Sequence, residues 1–368
     1  MSTRETVLEI NLAHLTHNYE YLKSKLNPGV KLLAVVKAAG YGSDAAVIAK
    51  HLERLNVDYF AVAYAPEGIA LREAGIQKPI LVFHPQTVNF LSLIKYRLEP
   101  SMYSMRVLKE FISIAESLDQ DRYPVHLKFN TGLNRIGFSK DEVDQCISML
   151  NNTNAIMVQS LFSHLAASED HTEKKFTLKQ INAFKRITDN FTDQLGYKPI
   201  VHQCNTSGIL NYPEAHIDMV RTGIGLYGFG NEAIYDKELK PIASLKSIIS
   251  QIHVLSAGET VGYNRAFTAT AETRTATIPI GHADGIGRHY GHKKGFVMIN
   301  HKKAYILGNV CMDMIMVDIT EIECKEGDEV ILFDSDVTAA FVAEHAGTIS
   351  YELITGIAPR VKRVFVDK

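Results

Sequence analysis

From residue 30 to about 225, short apolar runs alternate with longer stretches whose apolar positions recur at helical spacing. The runs at 32–36, 59–63, 80–83, 97–99, 125–129, 156–162, 199–203 and 218–221 have strand length and strand composition. Between them, 43–55, 104–118, 141–150 and 173–194 read as amphipathic helices. Eight strands with intervening helices predict an α/β architecture, and a (β/α)8 barrel fits better than an open sheet. An open doubly wound sheet is the alternative, because spacing alone does not show closure. Its usual companion, a Gly-x-Gly-x-x-Gly after the first strand, is missing.

After about residue 240 the texture changes. The runs 248–254, 273–280, 295–299, 304–307, 314–319 and 329–333 are β-like and separated by Gly, Asn and Asp turns. Only 337–346 reads as a clear helix. The expected organisation is a barrel over residues 1–240 followed by a mainly-β domain over 241–368.

Composition narrows the function classes. The 368 residues are 46% hydrophobic and 22% charged, ordinary for a soluble globular chain. A net charge of −2 gives no electrostatic reason to expect nucleic acid or an anionic membrane. Arg4, Glu5, Glu9 and Glu20 break any signal-peptide core, and no run approaches the roughly 20 apolar residues of a membrane span. Cys146, Cys204, Cys311 and Cys324 form no Cys-x-x-Cys pair, which fits reduced thiols in the cytoplasm. With no His-Glu-x-x-His either, no metal is expected.

The chemistry-bearing residues fall at strand ends, where barrels gather their active sites. Lys37 leaves the apolar run Leu32-Leu33-Ala34-Val35-Val36 just before Gly40-Tyr41-Gly42. Burial there favours the neutral amine, and a fixed neutral lysine forms a Schiff base with a carbonyl cofactor. The bland alternative is a lysine snorkelling from a strand end. Lys128 ends the fifth candidate strand, His164 follows the sixth, and Asn205-Thr206-Ser207-Gly208 and Arg221-Thr222-Gly223-Ile224-Gly225 follow the last two. Hydroxyls and glycine-exposed N–H groups after the seventh and eighth strands make an anion cradle, although a Thr-Ser-Gly turn alone is usually only a turn or a cap. Together with Lys37 they suggest a phosphate-bearing aldehyde, pyridoxal 5'-phosphate.

Several segments, in this order, resemble the alanine racemases, pyridoxal-phosphate enzymes built of a barrel and a β domain. They are Ala34-Val35-Val36-Lys37-Ala38, His126-Leu127-Lys128, Thr131-Gly132 with Arg135-Ile136-Gly137-Phe138, and Phe162-Ser163-His164. Asn205-Thr206-Ser207, Arg221-Thr222-Gly223-Ile224, Gly262-Tyr263 and Ala283-Asp284-Gly285 follow. Gly308-Asn309-Val310-Cys311-Met312-Asp313, Tyr351-Glu352 and Arg360-Val361-Lys362-Arg363 complete the series.

The resemblance implies that Lys37 holds the cofactor and acts on one face of the substrate Cα. Racemisation needs a second proton-transfer group on the opposite face, and the family analogy gives that role to Tyr263 from the other subunit of a homodimer. Arg221 corresponds to the arginine facing the pyridine nitrogen, where a group that only donates leaves that nitrogen unprotonated. Tyr41, Thr206, the Ile224 N–H and Tyr351 match phosphate contacts, with Asn205 and Gly223 in the same segments. Arg135 and the Met312 N–H match substrate-carboxylate contacts. His164 matches a group beside Arg221, and Asp313 a supporting residue that could equally cap a turn. Lys128 matches a lysine that is often carbamylated. The implied activity is L-alanine/D-alanine interconversion supplying peptidoglycan. Alternatives are a broader racemase acting on serine or basic amino acids, a fold-related decarboxylase, and a non-enzymatic cofactor carrier, against which residues 241–368 argue.

The chain departs from the family pattern at Ala39 and Ser43, where many relatives have Asn and His, and at Asn130, where Asp is common. Asn130 offers a donor to a bound anion in place of a carbamate on Lys128. His282 stands where relatives usually carry Tyr at the substrate entrance, which predicts an altered gate.

Overall fold

The computed structural model describes residues 5–367. The chain forms two compact units: Thr16–Gly40 with Ala45–Leu239, and the segment through Leu15 with Tyr41–Asp44 and everything from Lys240 on.

The first unit is a near-closed parallel barrel. Its strands are Lys31–Val35, Tyr59–Val62, Ile80–Val82, Glu99–Met102, Tyr123–Lys128, Ile156–Phe162, Ile200–His202 and Met219–Thr222. The first seven pair in chain order, and the eighth pairs with the first, Leu33 opposite Arg221. At the seam between the last two strands, the Asp218 and Arg221 N–H groups donate to the Val201 and Cys204 carbonyls at 3.2 and 3.0 Å. That seam decides against an open sheet. Leu32–Val35, Tyr59–Val62 and Ile80–Val82 are buried throughout, as parallel strands with both faces covered must be. The covering helices carry the expected apolar stripes. Met105–Ser117 buries Val107, Leu108, Phe111, Ile112 and Ala115, and the Ser104 hydroxyl caps it by accepting the Val107 N–H. Lys174–Leu195 ends at Gly196, whose φ of 73° supplies the left-handed cap. The fourth strand extends past the expected 97–99, because Pro100 interrupts the apolar run without ending the pairing.

The second unit is β-rich. Its six-stranded sheet runs Lys302–Tyr305, Phe296–Ile299, Glu329–Phe333, Ala243–Ile248, Thr6–Asn11, Lys362–Val366. Thr6–Asn11 is antiparallel to Ala243–Ile248 and parallel to Lys362–Val366, so this sheet includes a strand from before residue 240. A second sheet joins Gln251–Leu255, Thr273–Ile278 and Ile315–Asp318. The run expected as one strand over 248–254 is two strands in different sheets. The chain switches at Ile249 and Ser250, whose N–H groups donate to Asp328 and Thr277 respectively. Ser350–Gly356 is a second helix beside Ala339–His345, too short for its periodicity to stand out in sequence.

Candidate active site

Lys37 directly follows the first barrel strand and opens an unusual turn. Ala38, Ala39 and Gly40 take left-handed dihedrals (φ 52°, 54° and 64°), and Tyr41 follows at φ 51°. Non-glycine residues resist this conformation by about 1–2 kcal/mol each, so something must hold the turn. Glu67 does so. One carboxylate oxygen accepts the Ala38 N–H at 2.6 Å, and the other accepts the Ala63 and Tyr64 N–H groups at 2.8 and 3.0 Å. Sequence reading gave Glu67 no role, because its partners are backbone groups from a neighbouring strand end.

The Lys37 amine is half-buried, and burial lowers its pKa, reinforced by Arg135 and opposed by Glu67. Lys128, at the end of its strand, is 5% exposed, and burial with Arg135, Arg221 and Lys37 pushes it down to about 7. Its Nζ lies 5.8 Å from the centre of the Phe162 ring, against which Arg221 also packs, with Cζ 5.5 Å away. Lys37, Lys128 and Arg135 make no ion pair with a carboxylate among the described residues. A group of cations that make no ion pair, at the C-terminal ends of barrel strands, suits an anionic guest.

Arg221 is fixed from several sides. Its guanidinium donates to His202 Nδ1 and the Ser163 carbonyl at 2.7 Å, to the Gln203 carbonyl at 3.0 Å and to His164 Nδ1 at 3.2 Å. Guanidinium only donates, so both imidazoles accept at Nδ1. Burial and the adjacent cations hold His164 and His202 well below the usual histidine range. Burial also lowers Arg221, to about 10.

Thr206 and Thr222 place their hydroxyls 3.1 Å apart, and Thr206 Oγ1 accepts the Gly225 N–H at 3.3 Å. Asn205 caps the short helix Thr206–Asn211 by accepting the Gly208 N–H at 2.9 Å. A Cβ on Gly225 would lie 2.6 Å from Thr206 Cγ2, so only glycine lets the two segments approach. The Ile224 N–H donates to no group among the described residues. These hydroxyls and N–H groups lie in the two segments where the sequence leads one to expect an anion cradle. Asn130 turns its amide inward on its own loop, accepting from Gly132 and Asn134 N–H and donating to Asn134 Oδ1, which leaves less of it for a bound anion.

The β-rich unit holds the remaining candidates. The Tyr41 and Tyr351 rings lie 6.3 Å apart, and burial with Tyr351 raises the Tyr41 phenol. Tyr263 follows Gly262 (φ 76°) and is 75% exposed, while Asn309 donates to its carbonyl at 3.2 Å. Met312 is also exposed, and its carbonyl accepts the Ala283 N–H. Asp313 pairs with Arg360 at 2.7 Å, and Arg360 forks onto both oxygens of Asp284. His282 is exposed in the turn His282–Asp284. Gly281 is indispensable before it, since a Cβ there would meet the Cys311 and Met312 carbonyls at 2.4 Å. Among the described residues, no group of three or more His, Cys, Asp or Glu could hold a metal, and no helix is long and apolar enough to cross a membrane.

Comparison with known proteins agrees over both units. Residues 10–230 match the family model described as alanine racemase, N-terminal domain, and 242–365 match alanine racemase, C-terminal domain. The alanine racemase of Thermodesulfovibrio yellowstonii is 35% identical, with 97% of each chain covered. Among solved structures, the alanine racemase of Clostridium difficile 630 aligns with a TM-score of 0.92 at 36% identity, covering 100% of this chain and 97% of that one. That of Bartonella henselae, described as having covalently bound pyridoxal phosphate, aligns at 0.90 with 28% identity, covering 99% and 100%. The chain belongs to the alanine racemase family.

Proposed function

We propose that Lys37 and Tyr263 are the two proton-transfer groups with which this family member interconverts L- and D-alanine, using pyridoxal 5'-phosphate held in the barrel. The observation that carries this reading is the cation group around Lys37, whose depressed pKa suits a lysine that must be neutral to attack an aldehyde. When bound, the cofactor supplies the electron sink that renders the substrate Cα–H acidic. Lys37 would hold it and move the proton on one face of Cα. Tyr263, contributed by the second subunit of a homodimer, moves it on the other. The exposure of Tyr263 within its own chain supports a role outside that chain.

The Thr206 hydroxyl, the Ile224 N–H, and the segments of Asn205 and Gly223 hold the phosphate, with Tyr41 and Tyr351 as further contacts. Arg221, a fixed donor held by His164 and His202, would face the ring nitrogen. Arg135 and the Met312 N–H receive the substrate carboxylate. Lys128 carries a carbamate: at a pKa of about 7 much of the amine is neutral near pH 7, so CO2 can add to it with loss of a proton. The carbamate then sits beside Arg135. His282 forms part of the substrate entrance; residues 1–240 carry most of the cofactor contacts, and 241–368 supply Tyr351, Tyr263 and Met312. Four free cysteines support a reducing, cytoplasmic setting, with D-alanine going to peptidoglycan.

Incubating L-alanine with the protein and pyridoxal phosphate, followed by borohydride reduction and peptide mapping, tests the reading. Decay of optical rotation with the cofactor trapped on Lys37 is expected. Persistent rotation, or trapping on another lysine, overturns it.

A further inference from the structure

Five consecutive barrel strands each contribute one polar side chain to a continuous file through the interior. His126 Nε2 is 2.7 Å from Glu99 Oε2, and His126 Nδ1 is 2.6 Å from Ser160 Oγ. Ser160 Oγ is 2.9 Å from His202 Nε2, and His202 Nδ1 is 2.7 Å from the Arg221 guanidinium. His126, Ser160 and His202 are wholly buried. Such a file could be mere polar filling, but its two ends dictate every proton in it.

Arg221 can only donate, so His202 accepts at Nδ1 and, being neutral, carries its proton on Nε2. That proton goes to Ser160 Oγ, and the serine O–H is then directed to His126 Nδ1. His126 therefore carries its proton on Nε2 and donates it to Glu99. A charged His126 would point a second N–H at Ser160 and leave the serine proton without an acceptor in the file. All the bonds consequently run one way, from guanidinium to carboxylate, and each polarises the next. The Phe162 ring lies against His202, with centroids 5.1 Å apart and planes 7° apart, and against the same guanidinium. At the far end, the Tyr59 phenol and Arg72 lie within the field of Glu99.

We infer that Glu99, His126, Ser160 and His202 form a directional hydrogen-bond relay that anchors the charge and orientation of Arg221. They are positioning residues acting through Arg221, and this rests on the reading that Arg221 faces the cofactor ring. Glu99, part-buried, sets a carboxylate in line with Arg221, the cation that must stay rigid.

The test begins with cofactor-free protein labelled with 15N at its histidines. Both rings are expected as Nε2–H tautomers whose Nδ1 carries no proton. Glu99→Gln keeps an acceptor and removes the charge, and it should move the His202 Nε2–H resonance in the Ser160 protein but not in Ser160→Ala. In the reconstituted enzyme each single variant should lower kcat about tenfold at nearly unchanged KM, and the double variant no further than the worse single. An Nδ1–H tautomer at either ring, or a roughly hundredfold multiplicative loss in the double variant, overturns the relay. Failure of the functional reading shows separately, as absent racemisation by the wild type with both tautomers as expected.

Discussion

Glu67 accepts the Ala38 N–H at 2.6 Å, so a carboxylate beyond the next strand sets the backbone that leaves Lys37. The same side chain binds Ala63 and Tyr64, tying two strand ends together. Lys37 is thereby aimed by a turn that its own sequence would not favour.

Glu67→Gln replaces one accepting oxygen by an amide that cannot accept. The variant should lose about 1–3 kcal/mol of stability in denaturant titration and bind pyridoxal phosphate less completely. Unchanged stability and occupancy would show that the left-handed turn stands without Glu67.

The eight barrel strands were legible because each buried strand is a short apolar run, and the long helices because their apolar faces repeat. Closure was not, since it rests on backbone bonds such as Arg221 to Cys204. Thr6–Asn11 was missed for a related reason: its partners, Ala243–Ile248 and Lys362–Val366, are remote in sequence. Of the site, Lys37, Lys128 and Arg221 stood out as ionisable residues at strand ends. Glu67, Glu99 and Ser160 did not, because their importance lies in partners brought from other strands.

Lys128 makes stability depend on pH. Its folded pKa of about 7 lies below the unfolded value near 10.5, so between these the unfolded chain binds more protons. Its contribution to stability therefore rises with pH across that window. Chemical denaturation from pH 7 to 10 in CO2-free buffer should show a steeper rise for the wild type than for Lys128→Met. Equal slopes would contradict the burial of a lysine in this cluster.

Intact-peptide mass of the Lys128 segment, with and without bicarbonate, tests the modification itself. A carbamate that forms with bicarbonate and is lost in acid is expected. An unmodified peptide under native conditions, with a halide required for activity, would assign the negative charge to a bound anion instead.

Gly225→Ala puts a methyl group against Thr206 Cγ2 and displaces the hydroxyl of the anion cradle. The expected cost is about 1–3 kcal/mol, with weaker cofactor binding by equilibrium dialysis. Retained affinity would remove Thr206 from the phosphate site.

Two proton-transfer groups on opposite faces of Cα are the centre of the account, and Tyr263→Phe in deuterated water tests them most directly. The variant should lose racemisation by about 10²-fold or more while still exchanging the Cα hydrogen of one alanine enantiomer with retention. Racemisation at the wild-type rate, or equal exchange of both enantiomers, would contradict the assignment of Lys37 and Tyr263 to separate faces.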